Sequence, residues 1–217
     1  MVVETSHLRA DAQRNLERIL ESARVVFARR GLEASVADVA EHAGVGTATI
    51  FRRFPTKDDL VTAILERELE TIRDRAAEAA AADDPAQAVA DFMGWAIGTF
   101  IEDRCLCEAS GGQLFDRPRM HELVAEITAT IESLVTRAQA AGAIRADIVA
   151  EDLGFLLNAI AQAGSALERV APGRWRRYLA IVLDGLRPEG ATELVIPAPT
   201  PEQLHEAKTR HSAARPD

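Results

Sequence analysis

Apolar residues recur at intervals of three and four along most of this chain, which is the spacing of amphipathic helices. The first apolar stripe lies within residues 11–30 and consists of Leu16, Ile19, Leu20, Ala23, Val26 and Phe27. Gly31 ends the predicted helix, and the ten residues at the start are predicted to form a loose arm. Alternating strand-like runs are scarce, so the pattern predicts an all-α protein.

The segment 35–57 has the pattern of two short helices joined by a glycine turn. A serine–aspartate capping box opens the first helix at Ser35, and Gly44 stands where a left-handed residue is favourable. The second helix is predicted over 47–54, because Pro55 prevents its continuation. Two such helices form a helix-turn-helix, whose second helix fits the major groove of DNA.

Side chains suited to DNA contact cluster on the second of these helices and just after it. Hydroxyl and cationic groups contact phosphates and guanine edges. The candidate DNA-contacting residues are Ser35, Thr47, Ala48, Thr49, Phe51, Arg52, Arg53 and Lys57. The chain has a net charge of −9, yet residues 1–57 hold nine basic and seven acidic residues. The positive charge is therefore concentrated on the predicted DNA-binding segment.

The remainder of the chain is also predicted to be helical, to a total of about nine helices. A second capping box opens a long helix at Thr56, and a proline in the first turn opens the next helix at Pro85. We predict helices at 56–82, 85–101, 120–141, 149–170 and 173–186. Prolines after residue 187 indicate an extended tail. The chain thus divides into an N-terminal three-helix domain at 1–57, a helical domain at 58–186 and a C-terminal tail at 187–217.

The order of features from Asn15 to Ala63 resembles the N-terminal domain of the TetR family of transcriptional repressors. The resemblance lies in the leading helix ILESARVVFARRGLEAS, the turn AGVG, the aromatic pair Phe51 and Phe54, and the closing PTKDDL. Most members have tyrosine where this chain has Phe51, and that hydroxyl often touches a phosphate, so Phe51 offers apolar contact only. The second half resembles the family only in being helical.

This resemblance implies a homodimeric repressor that binds a near-palindromic double-stranded DNA operator. The cysteine usage and the lack of a secretory-signal pattern favour the cytoplasm. It assigns residues 58–186 to effector binding and dimerisation, with the last two helices forming a four-helix bundle across a two-fold axis. The small residues around Gly164 would let another helix approach closely. No segment is apolar enough to span a membrane, so no membrane partner is expected.

A pocket for a mainly apolar organic effector is predicted in the second half. Apolar walls with a few amides are the usual composition of such pockets, although ordinary core packing explains each residue equally well. Asn158 and Gln162 lie four apart, hence on one helical face. The candidate lining residues are Phe92, Trp95, Phe100, Phe115, Met120, Phe155, Asn158 and Gln162.

The sequence is also compatible with two alternative functions. Cys105 and Cys107, with His121 nearby, are possible ligands for a metal or sites of oxidation, although free cysteine commonly behaves as a small apolar residue. The other alternative is an architectural or partner-recruiting DNA-binding protein without an effector. No nucleophile–base pair or phosphate-binding loop is present, so we expect neither an enzyme nor a cofactor or metal.

Overall fold

The computed structural model of the chain describes residues 2–109, 114, 117–200, 203 and 206, with side chains from Gln13 onward except that of Cys107. Within these residues the regular structure is helical, as the sequence predicts. The elements are α1 (Val2–Arg30), a 3₁₀ turn (Gly31–Glu33), α2 (Val36–Ala43), α3 (Thr47–Phe51), α4 (Lys57–Ala81), α5 (Pro85–Glu102), α6 (Arg104–Ala109), α7 (Pro118–Ala140), α8 (Ala150–Glu168) and α9 (Arg176–Gly185).

The first helix begins at Val2, so the prediction of a loose arm before residue 11 was wrong. Residues 2–14 contain neither glycine nor proline, and once a helix is nucleated each further residue adds one hydrogen bond. The stripe on α1 packs as predicted against α2 and α3. The small core that results contains Ile19, Ala23, Phe27, Val39, Ile50 and Phe54.

The helices α4 and α7 lie side by side and run in the same direction. Near their starts, the Arg117 guanidinium lies 3.1 Å from the Asp59 carboxylate. Near their ends, Arg137 donates hydrogen bonds to the carbonyl of Ala80 and, at 2.6 Å, to that of Ala82. The helix α4 thus connects the N-terminal core to the remainder of the chain.

The helices α5, α8 and α9 form a second packed group with the end of α7. Trp175, at the start of α9, packs beside Gly98, and Leu179 packs beside Gly94, one turn earlier in α5. Gly164 of α8 lies against Ile101 and Trp175. The close approach that Gly164 permits is therefore to helices of its own chain. None of the described helices has the length and apolarity required to cross a bilayer.

Candidate nucleic-acid interface

The first helix of the helix-turn-helix is fixed by the predicted capping box. The backbone N–H of Asp38 donates to Ser35 Oγ at 3.2 Å, and the N–H of Ser35 donates to Asp38 Oδ2 at 2.8 Å. Arg30 of α1 adds an ion pair to Asp38 at 2.7 Å. The hydrogen bonds from Ser35, and then the charge of Arg30, lower the pKa of Asp38 to about 2. The hydroxyl of Ser35, a predicted DNA contact, is thus engaged in the cap.

The turn and the second helix expose the predicted DNA-contacting face. Gly44 ends α2 in the left-handed conformation at φ 65°, and Ile50 is fully buried on the inner face of α3. The exposed or half-buried positions on and after the helix are Thr47, Ala48, Thr49, Phe51, Arg52 and Arg53. The helix α3 ends at Phe51, three residues earlier than predicted, because residues 52–54 tighten into a turn with Arg53 N–H donating to the Ile50 carbonyl at 2.9 Å.

The cationic groups of this segment differ in their availability. Arg52 and Arg53 are exposed and pair with no carboxylate among the described residues. Lys57 is half-buried, donates to the carbonyl of Leu32, and lies 5.9 Å from the centroid of the Phe27 ring. In this conformation Lys57 therefore joins α4 to the turn before α2, and Arg52 and Arg53 are the free charges.

Several predicted effector-lining residues lie together in the core between α4, α5 and α7. Phe92 and Met120 are buried, and Trp95 and Phe100 are half-buried. The Phe92 and Trp95 ring centroids are 6.2 Å apart, and the Arg75 guanidinium lies 5.3 Å from the centroid of Trp95. Phe115 lies outside the described residues. These contacts are those of side chains packed in a core. A ligand site formed by these residues therefore stays a prediction.

The structure corrects the prediction for Phe155 and Gln162, because both lie on the exposed face of α8. The buried residues of this helix are Ala150, Leu153, Ile160, Ala161 and Gly164. Phe155 is 63% exposed, and Gln162 follows seven residues later on the same outer face. Asn158 is half-buried. Neither Phe155 nor Gln162 faces α5, so neither lines a pocket enclosed within one chain.

The environment of Cys105 does not favour the metal or redox alternative. Its side chain is 1% exposed, and burial, with the nearby charges of Asp103 and Glu108, raises the pKa of the thiol to about 12. Reactivity toward oxidants and metals requires the thiolate. Among the described side chains, no three histidines, cysteines or carboxylates are grouped to hold a metal ion.

Long-range contacts of the residues that flank the helix-turn-helix, Leu32 before it and Asp59 after it, were missed by the sequence reasoning. Glu108 of α6 accepts a hydrogen bond from the Leu32 backbone N–H at 2.7 Å. Arg117, at the start of α7, pairs with Asp59, which also caps α4 at Thr56. The first pair is separated by 76 residues and the second by 58. Periodicity and capping patterns carry no signal for contacts of this range.

Two family models match the chain, one in each half. Residues 19–64 match the model for bacterial regulatory proteins of the tetR family, and residues 84–188 match the model for the C-terminal domain of SbtR-like transcriptional regulators. The first match covers α2 and α3, and the second covers α5 to α9.

Individual relatives agree with these models. The HTH-type transcriptional regulator LuxR of Vibrio harveyi is 48% identical over 50 residues, and this match spans 23% of the present chain and 24% of that protein. The crystal structure of a TetR transcription regulatory protein from Mycobacterium vanbaalenii is 34% identical, covering 83% of this chain and 99% of that one with a TM-score of 0.61. The regulator FadR from Bacillus subtilis, crystallised with stearoyl-CoA, shares the fold at 15% identity and a TM-score of 0.61, covering 79% of this chain and 97% of that one.

Proposed function

The chain belongs to the TetR family of DNA-binding transcriptional regulators, and on that premise we propose that it is a repressor that a small-molecule effector releases from its operator. It is a regulator and not an enzyme. We assign residues 1–57 to DNA binding, 58–186 to effector binding and dimerisation, and 187–217 to a tail. We also place the protein in the cytoplasm, where such an operator would be found.

The observation that carries the DNA-binding proposal is the pair of free charges after α3. Ile50 anchors the inner face of the helix, while Arg52 and Arg53 are exposed and unpaired among the described side chains. Arginine contacts guanine edges and phosphates through two parallel hydrogen bonds. The neighbouring Thr47, Ala48, Thr49 and Phe51 complete the proposed contact surface, with Phe51 offering an apolar surface that is 45% exposed.

Dimerisation is supported by an apolar outer face on the last two helices, defined by Phe155, Tyr178 and Ile181. These side chains are 63%, 53% and 56% exposed in the single chain. Exposed apolar clusters of this kind mark interaction sites in soluble proteins. In the proposed homodimer this face meets its counterpart across a two-fold axis, and the two α3 helices bind half-sites about 34 to 36 Å apart, or a multiple of that distance.

Effector release requires a ligand that binds the DNA-free conformation more tightly than the operator-bound one. A coupling of about 1 to 3 kcal/mol between the two sites is typical. We propose an organic, mainly apolar effector that contacts Phe92, Trp95, Phe100 and Met120, with Asn158 as the polar partner. The stearoyl-CoA complex of the Bacillus subtilis regulator shows that the fold accommodates a ligand with a long apolar chain.

Arg52→Ala and Arg53→Ala test the proposed function. The probe is the duplex that the wild-type protein recovers from a randomised library. Each variant should weaken binding by about 1 to 3 kcal/mol, and the loss should depend on the base at the contacted position. The matched control is Arg187→Ala, which removes an exposed arginine near the end of α9. If Arg52→Ala and Arg53→Ala both bind the duplex as tightly as the Arg187→Ala control, the assignment is refuted.

A further inference from the structure

The connection between α8 and α9 carries a concentration of positive charge in an acidic part of the chain. Residues 58–217 hold 16 basic and 27 acidic residues. Four of those basic residues nevertheless fall within 169–177, and all are exposed. We call them the loop arginines; they are Arg169, Arg174, Arg176 and Arg177.

The loop arginines have no carboxylate partner among the described residues. The adjacent Glu168 is engaged within the loop, where it accepts a hydrogen bond from the Gly173 N–H at 2.8 Å. Arg176 lies over the Trp175 ring, 4.4 Å from its centroid, which leaves its charge uncompensated. Most other described arginines do pair with acids, as the following show: Arg24, Arg30, Arg67, Arg73, Arg75, Arg104, Arg117, Arg119, Arg145 and Arg187. The loop arginines share their unpaired state with Arg52 and Arg53.

The loop lies on the same side of the molecule as the helix-turn-helix. Trp175 packs beside Gly98, and Gly164 near the end of α8 packs against Ile101, so the loop adjoins the final turn of α5. The next helix, α6, is bonded through Glu108 to the 3₁₀ turn that precedes α2. The tail leaves from the opposite end, where Arg145 donates to the carbonyl of Thr192.

We propose that the loop arginines bind backbone phosphates of the operator between its two half-sites. The inference rests on the proposed DNA-binding dimer, in which the α8–α9 pairs meet at the two-fold axis and bring both loops above the centre of the site. Phosphate contacts position a protein on duplex DNA without reading its sequence. Duplex DNA is the favoured partner because the loop arginines lie at the same end of the molecule as the unpaired arginines that follow α3.

Salt dependence of binding provides the test, because each neutralised phosphate contributes about 0.9 to the slope of log K against log salt. Arg174→Gln and Arg177→Gln are compared with Arg187→Gln, which removes the same charge at the opposite end of α9. The probes are the library-selected duplex with both half-sites and a duplex truncated to one half-site. On the full duplex, each loop variant should reduce the slope by about 1 for every phosphate that it no longer neutralises. On the truncated duplex its slope should match that of the control.

Further variants separate this inference from the proposed function. Arg174→Lys keeps the charge and should restore the slope, and sedimentation must show every variant to be dimeric. If Arg52→Ala loses binding while the loop variants keep the wild-type salt slope, the helix-turn-helix assignment is supported and the loop proposal is overturned. The loop arginines would then have an acidic protein surface as their partner. Equal loss of slope on both duplexes also overturns it, because the contact would then lie within a half-site.

Discussion

The carboxylate of Glu108 accepts a hydrogen bond from the backbone N–H of Leu32, at an N···O distance of 2.7 Å. Gly31, with φ 66°, lies directly against this carboxylate, where a larger residue would meet it. The Leu32 carbonyl accepts from Lys57 at the start of α4. Both backbone groups of one residue thus connect the turn before α2 to α4 and α6.

Glu108→Ala should lower the free energy of unfolding by about 1 to 3 kcal/mol, because it leaves the part-buried N–H of Leu32 without its acceptor. Glu108→Gln keeps an acceptor oxygen while losing the charge that pairs with Arg104 at 2.8 Å. The glutamine variant should therefore lose less than the alanine variant. Urea unfolding of the two proteins measures the difference. Equal losses would mean that the ion pair, and not the bond to Leu32, is the contribution that matters.

Gly164 allows α8 to approach α5 and the start of α9. A Cβ at this position would lie 2.7 Å from Ile101 Cδ1 and 3.2 Å from Trp175 Cβ. Gly164→Leu should therefore lower the stability of the fold by about 1 to 3 kcal/mol through overpacking. Gly154→Ala is the control, because a Cβ there meets open space in the same helix and should add up to about 1 kcal/mol. If Gly164→Leu unfolded in urea like the wild type but dissociated into monomers, Gly164 would be an interface residue instead.

The Asp38 carboxylate should make the stability of the helix-turn-helix decrease at low pH. Hydrogen bonds from Ser35 and the charge of Arg30 lower its pKa from 3.8 to about 2 in the folded chain. The carboxylate stabilises the fold fully above its unfolded pKa of 3.8, and this contribution is lost as the pH falls from 3.8 to about 2. Asp38→Asn should therefore flatten the loss of thermal stability between pH 3.8 and about 2. Glu41→Gln, an exposed change in the same helix, should retain the wild-type slope; a similar slope in Asp38→Asn would contradict the assignment.

Local features of this fold could be predicted from the sequence, and long-range ones could not. The capping boxes at Ser35 and Thr56 are confirmed because each depends on residues three apart. The assignment of Phe155 and Gln162 to a pocket within one chain was wrong because α8 is apolar on two faces and both residues lie on the exposed one. One face packs in the core and the other is exposed, and periodicity alone does not identify which is which. The contact of Glu108 with Leu32 has no sequence signature at all.

Ile181→Glu tests the proposed dimer face directly. Ile181 is 56% exposed on α9, beside the exposed Tyr178 and on the helix pair that carries Phe155. In the proposed dimer a carboxylate on this face would be buried without a cationic partner, and an unpaired buried charge is strongly destabilising to an interface. The variant should sediment as a monomer at concentrations where the wild type is a dimer. Its affinity for the full duplex should then fall toward that for a single half-site.

The control for this prediction is Val195→Glu, which makes the same apolar-to-acidic change in the tail, where Val195 is 90% exposed. It should leave both the dimer and the affinity for the duplex unchanged. Circular dichroism should show that both variants keep their helical content, because neither position is in a buried core. A dimeric Ile181→Glu protein together with a monomeric Val195→Glu protein would move the interface from the outer face of α8 and α9 to the tail. Dimers in both variants would exclude both surfaces, and the two-fold arrangement above the operator would then require another contact.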